Sequence, residues 1–239
     1  MSVTAIVLAA GRGLRLKFCI TKPLVKIKAR PIIIYSLLTL SNHSRIKDII
    51  VTANSLNYRD IVRAIKQYRI KKIRAVVLGG KERQDSVLKA LQAVDADTDL
   101  VLIHDAVRPF IDGQQVSNLI REAEKSEAAI LGVPVKNTIK EAKGSHLAGK
   151  KKFIVRKTLD RSRLWEIQTP QVFSKSLILK AYAKFGNHPV TDDAMLVEKL
   201  GAAVSLVEGA YDNIKVTTPE DLIIAEAILG KGKGKGYFG

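Results

Sequence analysis

VTAIVLAAGRGLRLKFCITKPL, running from Val3 to Leu24, is an apolar, partly β-branched segment that passes straight into a basic, glycine-punctuated loop. Val3 to Leu8 shows no polar/apolar alternation, the pattern of a strand covered on both faces in the middle of a parallel sheet. Ala9, Ala10, Gly11 and Gly13 then strip away side-chain bulk, so that backbone N–H groups can approach something large and anionic. Arg12, Arg15, Lys17 and Lys22 supply the countercharge. A glycine-rich turn at the carboxyl end of a first strand is where open α/β sheets bind nucleotides. The loop lacks the third glycine of the dinucleotide fingerprint and the G-K-[ST] of a P-loop, and Gly11 and Gly13 taken alone read equally well as turn residues.

The chain has 239 residues, 46% of them hydrophobic, enough for one sizeable core. Residues 1–229 read as a single α/β domain, and the GKGKGKGYFG at 230–239 as a disordered tail. No basic segment leads into an apolar one, and no apolar run approaches the length of a membrane span, so neither a secretory signal nor a membrane segment is expected. The lone cysteine, Cys19, admits no internal disulfide and suits a reducing, cytoplasmic setting. The formal charge of +17 calls for nucleic acid, a membrane surface or small polyanionic substrates as partners. Lysine runs such as Lys150 to Lys152 read as solvated faces. With six Phe and one Trp there is no aromatic-interleaved basic stripe, which sets nucleic acid behind small anions.

Strand and helix alternate along the chain. Helices are expected from Pro31 to Leu40, Tyr58 to Tyr68, Arg83 to Val94, Gln114 to Lys125 and Ser176 to Phe185. Strands are expected at Lys47 to Ala53, Ile73 to Leu78, Leu100 to His104, Ala128 to Val133, over QTPQVF, and at Ala203 to Val207 and Asn213 to Val216. This rhythm predicts a mostly parallel sheet with helices on both faces and ligands at the carboxyl ends of its strands. It breaks between about 137 and 163, where Thr138 to Ala142 and Phe153 to Thr158 flank a polar tip and read as a projecting hairpin arm suited to packing on a second copy. Thr218 to Asp221 reads as a capping box that opens a final helix to Leu229.

Other unusual residues fall at the strand ends. GGKERQDSV follows the strand at 73–78: its glycines and Ser86 suit a base or ribose and Arg83 a phosphate, although Asp85 or Ser86 also suits a helix cap. HDAVRP follows the strand at 100–104. Asp105, directly after a buried run, needs a partner, either a divalent metal bridging phosphates or the nearby Arg108. Thr191, Asp192 and Asp193 read as an N-cap with an acidic first turn. Lys215 is a cation in a short strand that needs water or an anion.

Taken in order, LAAGRGLR, GGKERQDSV, HDAVRP, VPVKNTIK, DRSRLW, QTPQ, VTDDA and VEGAYDNIKVTTPEDL resemble the 2-C-methyl-D-erythritol 4-phosphate cytidylyltransferase family over about residues 3 to 229. The resemblance implies a Rossmann-like domain and a homodimer in which each β-arm completes the other subunit's site. It implies that Ala9, Ala10, Gly11, Gly80 and Ser86 surround the cytidine, that Arg83 supports the nucleotide pocket, and that Arg15 and Lys22 hold the triphosphate. Asp105, Thr191 and Lys215 then meet the methylerythritol phosphate, joined by Thr138 and Arg161 from the partner's arm.

In the implied reaction a phosphate monoester oxygen attacks the α-phosphorus of CTP and pyrophosphate leaves. The nucleophile is already an anion, so the demand is for charge neutralisation and alignment by Arg, Lys and Mg²⁺ rather than for a strong base. Arg15, Lys22 and Lys215 are accordingly expected as catalytic cations, with Asp105 placing Mg²⁺ or the substrate's hydroxyls. The sequence departs from the family pattern in reading T-K-P-L where P-K-Q is more usual, in carrying Asn137 for an aspartate, and in Leu14 where a second basic residue is common. A ribitol 5-phosphate cytidylyltransferase is the alternative acceptor reading, and a nucleic-acid-binding protein on the same fold is the alternative of a different class.

Overall fold

The computed structural model describes residues 1–11, 21–147 and 150–231 of the chain, so Arg15 and the tail from 232 onward lie outside the described residues. Strand β1 (Val3–Leu8) is an interior strand of a seven-stranded sheet, paired in parallel with β4 (Ile46–Ala53) and β6 (Leu100–Asp105). Its side chains alternate between two cores: Val3, Ala5 and Val7 point to one face and Ile6 to the other. Both faces are buried, which is why the run needs no polar alternation.

The first core is closed by α1 (Ile32–Asn42), α2 (Tyr58–Gln67) and α4 (Gly113–Ser126), through residues such as Leu37, Ile61 and Leu119. The second is closed by α3 (Arg83–Leu91), α5 (Lys175–Phe185) and α6 (Ala194–Lys199), through Val87, Ile178 and Leu196. The remaining strands of this sheet are β5 (Ile73–Leu78), β7 (Ala128–Pro134), β10 (Trp165–Ser174) and β11 (Ser205–Glu208), in the order β11-β7-β10-β6-β1-β4-β5. Only β10 runs antiparallel to its neighbours, so the sheet is mostly parallel as the strand–helix rhythm predicts.

Register determines where the loops meet. Leu8 pairs with both Thr52 and Asp105, and Ala53 pairs with Leu78. The segments after β1, β4, β5 and β6 therefore emerge side by side at one edge.

Several local expectations are corrected. Pro31 is not in the first helical turn: it pairs in a two-residue ribbon, β2 (Lys26–Ile27) with β3 (Arg30–Pro31), and the chain turns through Lys28 and Ala29 at positive φ. Asn213 to Val216 is not a strand. Asn213 is turned inward and the segment crosses the sheet's end, tied by Val216 N–H to Val107 O at 2.9 Å. The hairpin consists of β8 (Lys140–Leu147) and β9 (Lys150–Thr158), antiparallel and separate from the main sheet, so Thr138 precedes its first strand rather than opening it. The last helix, α7 (Pro219–Lys231), runs past Leu229, and its capping box is present, with Asp221 accepting from the N–H groups of Thr217 and Thr218 at 2.7 and 2.9 Å. Among the described residues no helix is long and apolar enough to cross a membrane.

Leu102, fully buried at the middle of β6, reports on this core. Leu102→Ala is expected to lower stability by about 2 to 5 kcal/mol, read as a fall in the urea midpoint at unchanged slope.

Candidate active site

The loops at the sheet's edge enclose a cleft of about 1050 Å³. On one wall is the backbone of Ala9, Ala10 and Gly11, and its carbonyls are held by two asparagines: Asn57 Nδ2 donates to Ala9 O at 2.9 Å and Asn54 Nδ2 to Ala10 O at 3.0 Å. These asparagines brace each other, since Asn54 N–H donates to Asn57 Oδ1 at 2.8 Å. A Cβ added at Gly79 would stand 2.5 Å from Ala10 Cβ, and one at Gly80 would stand 2.1 Å from Asp85 Cβ. Glycine at 79 is what allows the two loops to touch, and glycine at 80 lets the turn fold back onto the start of the helix that follows.

Helix α3 begins beside them. Glu82, not Asp85 or Ser86, is its N-cap, with Asp85 completing the capping box by accepting from Glu82 N–H at 2.9 Å. Ser86 instead accepts from Gly80 N–H at 3.0 Å, tying the glycine turn to the helix.

Charge is concentrated on the opposite wall. Asp105, 7% exposed, lies 2.6 Å from Lys215 Nζ and 3.6 Å from Arg83 Nε. Burial alone would raise its pKa, but Arg83 and Lys215 outweigh burial and hold the carboxyl well below the usual carboxylate range. Arg108 is not its ion-pair partner. That guanidinium donates to Asn213 O at 2.8 Å and to Ile167 O at 3.4 Å. Arg83 is gripped from behind by Asp193, whose Oδ2 accepts from Nη2 at 2.7 Å and whose Oδ1 accepts from Tyr182 OH at 2.5 Å. Lys22, in a single helical turn with Pro23 buried, donates to Thr217 O at 2.9 Å across the cleft mouth.

Beneath Asp105 lies a fully buried histidine. His104 Nε2 is 3.1 Å from Arg108 O, which can only accept, so Nε2 carries the proton and Nδ1 accepts from the Thr169 hydroxyl at 3.2 Å. The Thr169 oxygen in turn accepts from Asp105 N–H at 3.0 Å. Burial pushes His104 down to about 4.

Of the residues singled out from the sequence, Ala9, Ala10, Gly11, Lys22, Gly80, Arg83, Ser86, Asp105 and Lys215 line this one cleft. Thr138, Arg161 and Thr191 do not. Thr138 and Arg161 are exposed at the foot of the hairpin, where Arg161 Nη1 donates to Lys136 O at 2.6 Å. Thr191 is exposed ahead of α6 and is not its cap; Asp192 accepts from Met195 N–H at 3.1 Å, and Asp193 faces inward. Sequence reasoning missed Asn54 and Asn57 as loop supports and Asp193 as the partner of Arg83. The first pair carries a signal in retrospect, two asparagines three apart directly after a strand, a spacing that favours side-chain-to-backbone turns.

A mostly parallel α/β sheet with a small-residue loop after its first strand, facing several cations around one carboxylate, is the kind of site a nucleotidyltransferase needs. The family model for IspD, 2-C-methyl-D-erythritol 4-phosphate cytidylyltransferase, matches residues 3–231, and the chain belongs to that family. The 2-C-methyl-D-erythritol 4-phosphate cytidylyltransferase of Bacillus velezensis is 42% identical over 98% of both chains, and that of Geobacillus kaustophilus is 42% identical over 96% of this chain and 97% of its own. Among solved structures, the 4-diphosphocytidyl-2C-methyl-D-erythritol synthase of Anaerococcus prevotii superposes with a TM-score of 0.83 at 33% identity over 96% of each chain. The cytidylyltransferase of Thermus thermophilus superposes at 0.75 and 28% identity over 95% of this chain and 98% of its own.

The His104 environment predicts a pH dependence. Between about pH 6.5 and 4 the unfolded chain takes up a proton at this residue and the folded chain does not, so stability falls as pH falls through that window. The loss amounts to about 3 kcal/mol. Urea unfolding at a series of pH values should show that slope, and His104→Gln should flatten it.

Proposed function

We propose that this chain transfers the cytidylyl group of CTP to 2-C-methyl-D-erythritol 4-phosphate, releasing pyrophosphate and forming CDP-methylerythritol in isoprenoid biosynthesis. The observation that carries this is the single cleft in which the Ala9–Gly11 loop, the Gly79–Gly80 turn, Lys22, Arg83, Lys215 and Asp105 converge. Such a cleft suits a reaction between two anions. The acceptor's phosphate oxygen needs no base to attack the α-phosphorus, and the barrier lies in bringing like charges together.

In this reading the small-residue loop and the glycine turn admit the nucleotide, and Ser86 holds the turn in place. Lys22, with Arg15, neutralises the charge that grows on the triphosphate as pyrophosphate departs. Lys215 draws the acceptor phosphate toward the α-phosphorus. Asp105, held ionised by its two cations, orients the acceptor's hydroxyls. Among the described residues no group of three His, Cys, Asp or Glu side chains is placed to hold a metal ion. The Asp105 carboxylate at the cleft fits the mode in which Mg²⁺ takes one protein carboxylate and completes its shell with phosphate oxygens and water. Mg²⁺ held there by Asp105 would supply further charge neutralisation.

Thr138 and Arg161 then act from a second copy of the chain. Support for a homodimer comes from the hairpin itself, where the consecutive strand residues Phe153, Ile154 and Val155 are 68%, 59% and 58% exposed, so that both faces of the ribbon present apolar side chains to solvent.

The test is pyrophosphate release with Mg²⁺ and CTP, comparing methylerythritol 4-phosphate with ribitol 5-phosphate, and ATP, GTP and UTP with CTP. Release with CTP and the first acceptor is expected. Preference for ribitol phosphate moves the acceptor assignment, and no release alongside salt-dependent nucleic-acid binding overturns the enzyme reading. Lys22→Ala should cut turnover by about 10² or more in a folded protein. Mixed dimers of Arg161→Ala and Lys215→Ala subunits should recover activity that neither variant shows alone, because one of the two sites then carries neither defect; absence of recovery counts against the shared site.

A further inference from the structure

The two cations facing Asp105 are held in different ways. Lys215 has 45% of its side chain exposed and stands on an irregular segment. Arg83 has 30% exposed, and its far end is committed to Asp193, a carboxylate with no solvent exposure. Both Asp193 oxygens are engaged, one by Arg83 and one by Tyr182, itself 4% exposed. Burial and the adjacent Asp193 raise the pKa of Tyr182, so it stays an O–H donor. Arg83 cannot swing away from Asp193 without leaving a buried carboxylate short of its countercharge, which is strongly unfavourable. Lys215 can swing toward the cleft at lower cost than Arg83, because Asp105 then keeps Arg83 as a countercharge.

Resting on the nucleotidyl-transfer reading above, we propose that Asp193 is a positioning residue that tethers Arg83 beside Asp105 and keeps this guanidinium off the substrate phosphates, leaving Lys215 as the cation that Asp105 releases to the incoming anion. The division has a catalytic reason. A cation that grips the polyphosphate equally in ground state, transition state and product adds binding without adding rate, and it slows the departure of pyrophosphate. A tethered Arg83 keeps Asp105 ionised and aligned instead. Tyr182 completes the tether by fixing the rotamer of Asp193.

The experiment is Asp193→Asn in the full chain, which keeps the shape and removes the charge. It is read by turnover with CTP and methylerythritol 4-phosphate and by equilibrium binding of inorganic pyrophosphate with Mg²⁺. Released from its tether, Arg83 should join the phosphates: kcat is expected to fall about tenfold while pyrophosphate binds about threefold tighter or more. Adding Arg83→Gln should abolish the tightening. A residue with only a structural role does not increase product affinity, so unchanged or weaker pyrophosphate binding in folded Asp193→Asn overturns the proposal, as does tightening that persists in the double variant. Should Asp193→Asn fail to fold, Tyr182→Phe keeps the charge and loosens the tether. It is then expected to tighten pyrophosphate about twofold, and an unchanged affinity overturns the proposal. The wild-type chain separates the two levels of inference: if it shows neither turnover nor pyrophosphate binding, the transferase reading falls and this proposal with it, whereas a normal wild type beside an unaltered variant removes the tether alone.

Discussion

A carboxylate at the end of a fully buried strand is the constraint on which this molecule turns. Asp105 closes β6, a strand in which every residue is buried, and a charge in that position is tolerated only with countercharge at hand. Lys215 and Arg83 supply it from two distant parts of the chain, and Arg83 in turn brings a second buried carboxylate, Asp193, into balance. Charges therefore alternate from Lys215 at the cleft to Asp193 in the core. Removing any one of them leaves a neighbour with less countercharge, so the electrostatics of the site and the stability of its surroundings are one problem.

The geometry that makes the network possible comes from strand register. Because Leu8 lies opposite both Thr52 and Asp105, the loops after three parallel strands leave the sheet at the same level. Asn54 and Asn57 then shape the loop after β1 from the neighbouring strand's end, and Gly79 lets the next loop come into contact with Ala10. Below this edge the neutral His104, Thr169 and Arg108 link the Asp105 backbone to the segment that carries Lys215, through Arg108 to Asn213 O. The cleft is thus supported by hydrogen-bonded side chains rather than by regular structure, as expected where the chain leaves the sheet with unpaired backbone groups.

Much of this was legible in the chain. Val3 to Leu8 reads as an interior strand because a mostly apolar run without alternation is buried on both faces, and the strand–helix rhythm follows from spacing alone. Nine of the singled-out site residues meet in one cleft because in a parallel sheet the strands' carboxyl ends share an edge whatever their order. What escaped is instructive. Asn213 to Val216 has a strand's composition but crosses the sheet's end, where among the described residues no strand lies alongside to pair with it. Asp193 looked like a first-turn acid, and the local signal for a cap is indistinguishable from the signal for an inward ion pair.

The set of elements, their α/β character and the residue types that chemistry between polyanions requires can be read from the chain alone, because these depend on local periodicity and on side-chain identity. Which charges face one another is settled only in the folded chain: Asp105 takes Lys215 and Arg83 rather than the nearby Arg108, and Arg83 is held from behind by Asp193. Such pairings depend on side chains far apart in the chain reaching one point in space, and that coincidence exists only once the sheet's register and the packing of α3, α5 and α6 against it are in place.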